Sequence, residues 1–257
     1  MRLYVGLTTL IGSIERYSER FNVLELRADS ERLPSPKALR RLHTTAPTVA
    51  MSLLVPPRMT SDLLDATELP PKLVQSADAL GANWVVIQTG PELGPSRNTR
   101  ARLAALVERL RAPNRNIAWE PRGMWEEDLA RAEAETLKIS FVQDLSVSVG
   151  YADDLVYTRL RALGPGAQLR ASALEHLAEQ LVGTEEATIV IEGRPSGRAR
   201  GRIVAALEGT RSELDEDDDL DGDDDDTDED DLDDDDTDAD GDDVDEDDDE
   251  DGPESSR

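Results

Sequence analysis

Carboxylates and arginines recur in this 257-residue chain at spacings that could put them on one side of a strand: Glu25/Arg27, Glu120/Arg122 and Arg159/Arg161. Residues two apart in a strand project to the same face, so each pair brings two charged groups together. Gln88, Asp144, Glu192 and Arg194 add polar groups just after other apolar runs. Carboxylates in a sheltered mouth can move protons, and arginines can hold an anionic or hydroxylated ligand. The competing reading is a set of structural ion pairs.

The elements that must carry these residues are short apolar runs: Leu3–Leu7, Val23–Arg27, Thr48–Leu54, Trp84–Thr89, Asn116–Glu120, Lys138–Val142, Leu155–Leu160 and Thr188–Glu192. Most are continuous rather than alternating, as expected of parallel strands covered on both faces. Between them lie helical patterns, such as Leu103, Leu106, Val107 and Leu110, or Leu174, Leu177, Ala178 and Leu181. Ser35-Pro36 predicts an N-cap followed by an N1 proline, Ser172 with Glu175 a capping box, and Gly209 the end of the last helix. Eight βα units in about 210 residues predict a compact α/β fold, the (β/α)8 TIM barrel. The sixth unit has too few residues for a full covering helix, so a loop or single turn is expected over 145–154. No G-x-G-x-x-G or Walker motif follows a strand, which disfavours an open nucleotide-binding sheet.

In such a barrel the reacting groups lie at the C-terminal ends of the strands. Glu25, Glu120 and Asp144 are therefore the candidate acid/base residues, with Arg27, Gln88, Arg122, Trp125, Arg159, Arg161, Glu192 and Arg194 as candidate ligand contacts. Barrel glycosidases place their carboxylates after strands 4 and 7, where this chain has Gln88 and Arg159. No metal or cofactor is expected, because the arginines oppose a cation at the mouth and cysteine is absent. His43 and His176 are read as a near-core helix residue and a surface residue. The turn Glu192–Arg202 carries four arginines and three glycines. It suits a phosphate or nucleic-acid backbone as well as it suits a solvated helix face.

Charge divides the chain. Its net charge is −29, yet Glu213–Arg257 holds 31 acidic residues and one Arg, leaving 26 acidic and 27 basic side chains in 1–212. Such a polyanion lacks the apolar surface to offset ordering, so residues 1–209 are assigned to the barrel and 210–257 to a disordered acidic tail. Two D-x-D-x-D-G matches, Asp217–Gly222 and Asp236–Gly241, are expected by chance at this Asp density. No apolar run is long enough to span a membrane, and a cytoplasmic location is the expectation. The near-neutral body disfavours sequence-specific nucleic-acid recognition.

The segments RYSERFNVLEL (16–26), RLPSP (32–36), VVIQTGP (85–91), IAWEPRGMW (117–125) and VYTRLRALG (156–164) resemble landmarks of the domain of unknown function 72 family, the YecE-like or YunF-like barrels. The resemblance spans about 1–208 and implies a TIM barrel with a polar mouth and no established reaction. Family-like positions are Tyr17, Phe21, Glu25, Gln88, Glu120, Arg122, Trp125, Asp144, Tyr157 and Arg159. The chain departs from the family at Thr8-Thr9-Leu10, at Thr60-Ser61, at Arg161-Ala162 and at Glu192-Gly193-Arg194, and it lacks a lysine in MSLLV (51–55). These departures mark a divergent member. Two readings follow: a barrel binding a small anionic or polyhydroxylated ligand, with carboxylate acid/base chemistry if it is an enzyme, or a non-catalytic interaction protein. In the second, the acidic tail binds basic partners or masks the arginine-rich mouth.

Overall fold

A computed structural model describes residues 1–28, 34–149, 153–161, 168–195 and 197–218, with side chains up to residue 210. Its strands are β1 (Arg2–Leu7), β2 (Val23–Arg27), β3 (Ala50–Val55), β4 (Ala82–Gln88), β5 (Asn116–Glu120), β6 (Ser140–Phe141), β7 (Leu155–Leu160) and β8 (Glu186–Ile191). They alternate with helices α1 (Ile14–Ser18), α2 (Pro36–Thr45), α3 (Pro57–Asp65), α4 (Pro71–Leu80), α5 (Arg97–Leu110), α6 (Glu127–Leu137), α7 (Ala171–Gln180) and α8 (Ala199–Asp218). All strand pairs are parallel, in the order β6-β5-β4-β3-β2-β1-β8-β7. This is the expected (β/α)8 barrel.

The eighth seam, between β6 and β7, is thin. A single parallel bridge pairs Gln143 with Thr158. Arg159 N–H donates to the Gln143 carbonyl at 3.1 Å, and Thr158 Oγ1 donates to the same oxygen at 2.8 Å. As expected for the weak sixth unit, the described residues between β6 and β7 form no helix. The β3–β4 connection instead carries two helices. Pro56-Pro57 and Pro70-Pro71 each start one and forbid a continuous run through the second pair.

Two local expectations are corrected. Ser172 is not a cap: α7 begins at Ala171 behind Arg170, which makes no side-chain cap bond. Gly209 does not stop α8, which runs on to Asp218; a helical glycine costs only about 1 kcal/mol relative to alanine. Ser35 does cap α2, its Oγ accepting from Ala38 N–H at 3.3 Å. The chain divides into units Met1–Leu220 and Asp221–Arg257. The tail from residue 219, with the second D-x-D-x-D-G match and most of the first, lies outside the described residues, as do Arg32, Leu33, Ala162 and Ser196. No helix of the described residues is long and apolar enough to cross a membrane.

The large core lies between strands and helices, where Val5, Leu7, Leu53, Val85, Ile87, Leu103 and Ile189 are buried. A smaller cluster fills the barrel interior: Leu54, Trp84, Val86, Ala118, Val142, Tyr157 and Val190. These interior residues set the phase of each strand. Two residues beyond Val23, Val86, Ala118, Tyr157 and Val190 come Glu25, Gln88, Glu120, Arg159 and Glu192. An apolar plug therefore supports a charged layer at the C-terminal end. At the β1–β2 seam, Tyr17 Oη accepts from Leu7 N–H at 2.8 Å and donates to the Val23 carbonyl at 2.6 Å.

Candidate functional site

The charged layer is built on one cation. Arg159, at the end of β7, reaches across the barrel to Glu25 on β2 (3.0 Å), to Glu120 on β5 and to Glu192 after β8 (2.9 Å). Arg159, Glu25 and Glu120 are almost wholly buried, their side chains 4%, 1% and 1% exposed. Strand register brings in the uncharged partners. Gln88 lies beside Glu120 and donates to its Oε2 at 2.7 Å. Ser52 lies beside Glu25 in register, and its hydroxyl meets Tyr157 Oη at 2.8 Å. Tyr157 O–H donates to Glu25 Oε2 at 2.8 Å, so Ser52 is left as the donor to Tyr157.

The two buried carboxylates are treated differently. Burial alone would raise Glu120, but Arg159, Arg161 and Arg122 together outweigh it and hold its carboxyl below the usual glutamate range. Glu25 has only its share of Arg159. Burial pushes Glu25 up, against Arg159 and the Tyr157 hydroxyl, and repulsion from Glu120 and Glu192 adds to the rise. Burial raises the Tyr157 phenol as well, with Glu25 adding to it, so this hydroxyl stays a donor. One carboxylate pushed up beside one pushed down is the arrangement that lets a site hold an acid and an anion together.

Above this floor lies a partly open rim. Arg122 contacts Glu120 Oε1 at 3.1 Å, and Arg161 pairs with the same oxygen. The Arg122, Arg161 and Glu192 side chains are 39%, 35% and 34% exposed. Arg27 and Arg194 are exposed. The C-terminal end of the barrel thus carries five arginines against four carboxylates, Glu25, Glu120, Glu192 and Asp144, a small positive excess. Among the described residues no group of three or more His, Asp and Glu is arranged to hold a metal ion.

The structure thus brings together Glu25, Gln88, Glu120, Arg122, Arg159, Arg161 and Glu192. Two other sequence candidates are occupied differently. Asp144 Oδ1 accepts from Ser146 N–H (3.1 Å) and Oγ (2.6 Å), and its Oδ2 accepts from Arg161 N–H at 2.6 Å. It shapes the turn after β6 and positions Arg161. Trp125 stacks edge-on against Trp119, and its indole N–H donates to the Leu93 carbonyl at 2.6 Å, pinning the loop before α5. His43 is half-buried in α2; His176, in α7, has a side chain 31% exposed, with its Nε2 3.1 Å from the Ser148 carbonyl oxygen. Arg198 and Arg202 of the strand 8 turn are exposed, and Arg20 lies against Gly197. Sequence reasoning missed Ser52 and the part played by Tyr157, although Tyr157 sits two residues before Arg159 and so shares its face.

Comparison with solved structures places this geometry in a known architecture. A domain of unknown function 72 family protein from Enterococcus faecalis superposes with a TM-score of 0.60 at 13% identity, over 82% of this chain and 98% of that one. A second protein of that family, from Thermotoga maritima, gives 0.54 at 13%, over 84% and 100%. The fold is that of the domain of unknown function 72 barrels. A D-psicose 3-epimerase shares it more distantly, with a TM-score of 0.51 at 10% identity over 81% of this chain and 97% of that one. No family model and no curated protein sequence matches the chain.

Proposed function

We propose that the chain is a divergent domain of unknown function 72 barrel that binds a small anionic or polyhydroxylated ligand at the C-terminal ends of its strands. The observation that carries this reading is the layered charge. Glu25, Arg159 and Glu120 form a buried floor, and Arg122, Arg161 and Glu192 stand partly open above it. The rim arginines would hold the oxyanion or hydroxyl groups. If the bound molecule reacts, Glu25 is the group suited to carry a proton. Glu120 stays ionised and fixes the three arginines. For Glu25 to reach a ligand, Arg159 or Tyr157 must shift, because one Glu25 oxygen faces Arg159 and the other Tyr157. Asp144 serves by positioning Arg161.

The test is a thermal-shift screen of the full chain against inorganic phosphate, sugar phosphates, sugars and carboxylic acids. A ligand at about 100 times its dissociation constant adds ~2.7 kcal/mol. Arg122→Ala should abolish the shift while leaving the protein folded. A second reading, the interaction protein with its acidic tail as the working part, is favoured by the mutual pairing of the central charges. Silence across the panel, with capture of basic proteins that is lost on deleting 219–257, would establish that reading instead.

A further inference from the structure

Beside the mouth lies a second concavity, where the described residues of the sixth unit form no helix. After β6 the chain turns at once, with Val147 N–H (3.1 Å) and Ser148 N–H (2.9 Å) both donating to the Asp144 carbonyl. Between this turn and α6 there is an open cleft of about 470 Å³ whose lining includes Trp125, Phe141, Gln143, Asp144, Val147 and Arg161. That volume is in the range of small-molecule sites, roughly 300–1,000 Å³.

The cleft is continuous with the mouth through one residue. The Arg161 guanidinium pairs with Glu120 on the barrel side, while its backbone N–H is held by Asp144 on the cleft side. The acidic groups along the cleft already have donors. Glu127 accepts from Arg131 at 2.8 Å and from Gln143 at 2.6 Å, and Asp144 accepts from its own turn and Arg161. The remaining lining is mixed, with Gln143 and Ser148 among the apolar Trp125, Phe141, Val142 and Val147. Val147 is 62% exposed, Phe141 is half-buried, and Trp125 is fixed by its Leu93 bond. Val147, set beside Phe141, Trp125 and the Arg161 cation, gives the cleft apolar surface that an apolar group can cover.

We infer that this cleft is the second half of the ligand site, and that the ligand is an oxyanion carrying an aryl or short apolar group. The oxyanion sits at Arg122 and Arg161, and the apolar group lies along Val147, Phe141 and Trp125. This deepens the proposed function and rests on the mouth being an anion site. A bare phosphate or a small sugar would leave the cleft unfilled; an aryl phosphate or an aryl carboxylate would fill both halves.

The test uses the full chain with three probes: inorganic phosphate, phenyl phosphate and benzoate. Calorimetry measures affinity, and valine-methyl NMR reports on Val147. The expected result is that phenyl phosphate binds about ten-fold more tightly than phosphate and shifts the Val147 methyl signals, which phosphate leaves in place. Val147→Asn, at an exposed turn position, should cut the phenyl phosphate affinity several-fold and leave phosphate affinity unchanged. If benzoate alone shows this increment and its sensitivity to Val147→Asn, the cleft stands and the oxyanion is a carboxylate. Equal affinity for phosphate and both aryl probes, with unmoved Val147 methyls, overturns the cleft and leaves the mouth as an anion site. If none of the three binds, the anion reading of the mouth falls and the cleft assignment falls with it.

Discussion

Replacing Arg159 with methionine removes the cation that lies among three carboxylates and keeps most of the side chain's volume. Glu120 retains Arg161 and Arg122. Glu25, 1% exposed, keeps Tyr157 as a donor but loses its arginine. Breaking a buried ion pair from one side typically costs about 3–5 kcal/mol, because the stranded charge stays desolvated. At about 2–4 °C per kcal/mol for a domain of this size, the melting temperature should fall by roughly 6–20 °C. The loss should depend on pH with a definite sign. Burial already raises Glu25, and losing Arg159 raises it further. The folded variant therefore takes up a proton more readily than the unfolded chain, and its deficit shrinks as pH falls toward the usual glutamate range. Thermal and urea denaturation followed by circular dichroism at pH 5 and pH 8 measure both effects. The double variant Glu25→Gln/Arg159→Met should regain about 1–3 kcal/mol over Arg159→Met, since the stranded charge is gone. A deficit below about 1 kcal/mol that is equal at both pH values would refute the reasoning.

Glu25→Gln alone should flatten part of the pH dependence: the wild-type loses the contribution of this raised group as pH climbs from the usual glutamate value through its folded value, and the variant does not. Urea curves at pH 5 and pH 8 check this. Tyr157→Phe keeps the edge contact with Trp84 but removes the donor to Glu25 and the acceptor of Ser52, so a loss of about 1–3 kcal/mol is expected in urea unfolding. Gly6→Ala should prevent folding, because its Cβ would lie 1.6 Å from the Val23 carbonyl oxygen across the β1–β2 seam; soluble yield and far-UV circular dichroism report it. Gly123→Ala meets two obstacles, a φ of +92° and a Cβ 2.4 Å from the Pro91 Cα. It should lower stability by more than the roughly 1–3 kcal/mol of backbone strain alone, measured by thermal melts.

The barrel was legible because its strands are buried on both faces and carry continuous apolar runs, and because a polar residue follows the interior apolar position on β2, β4, β5, β7 and β8. Two-residue spacing in the sequence paired Glu25 with Arg27, Glu120 with Arg122 and Arg159 with Arg161, but which face turns inward is set by the barrel interior. The spacing could not say that Arg159 would serve three carboxylates, since that depends on distances across the barrel. Asp144 and Trp125 carried the right chemistry for a site, but local backbone donors and acceptors compete for their polar atoms. The Ser172–Glu175 pattern was a true local signal in the wrong place, because α7 starts at Ala171 with Arg170 as its N-cap, two residues before the expected cap. Ser52 was hidden in an apolar run, where a small hydroxyl leaves no mark on periodicity.

The seam between β6 and β7 gives the barrel a place to breathe. Seven interstrand boundaries are sheet ladders, and this one is a single bridge reinforced by Thr158 and Arg159. Amide protons there should exchange with solvent well before those of β3 and β4, since protection follows the local opening energy. The residue whose backbone closes the seam, Arg159, is also the one whose side chain joins Glu25, Glu120 and Glu192. Opening the seam therefore loosens the charged floor in the same event. A molecule bridging Arg161 and the turn after β6 would act as a staple, and slower exchange along this one edge would register its arrival.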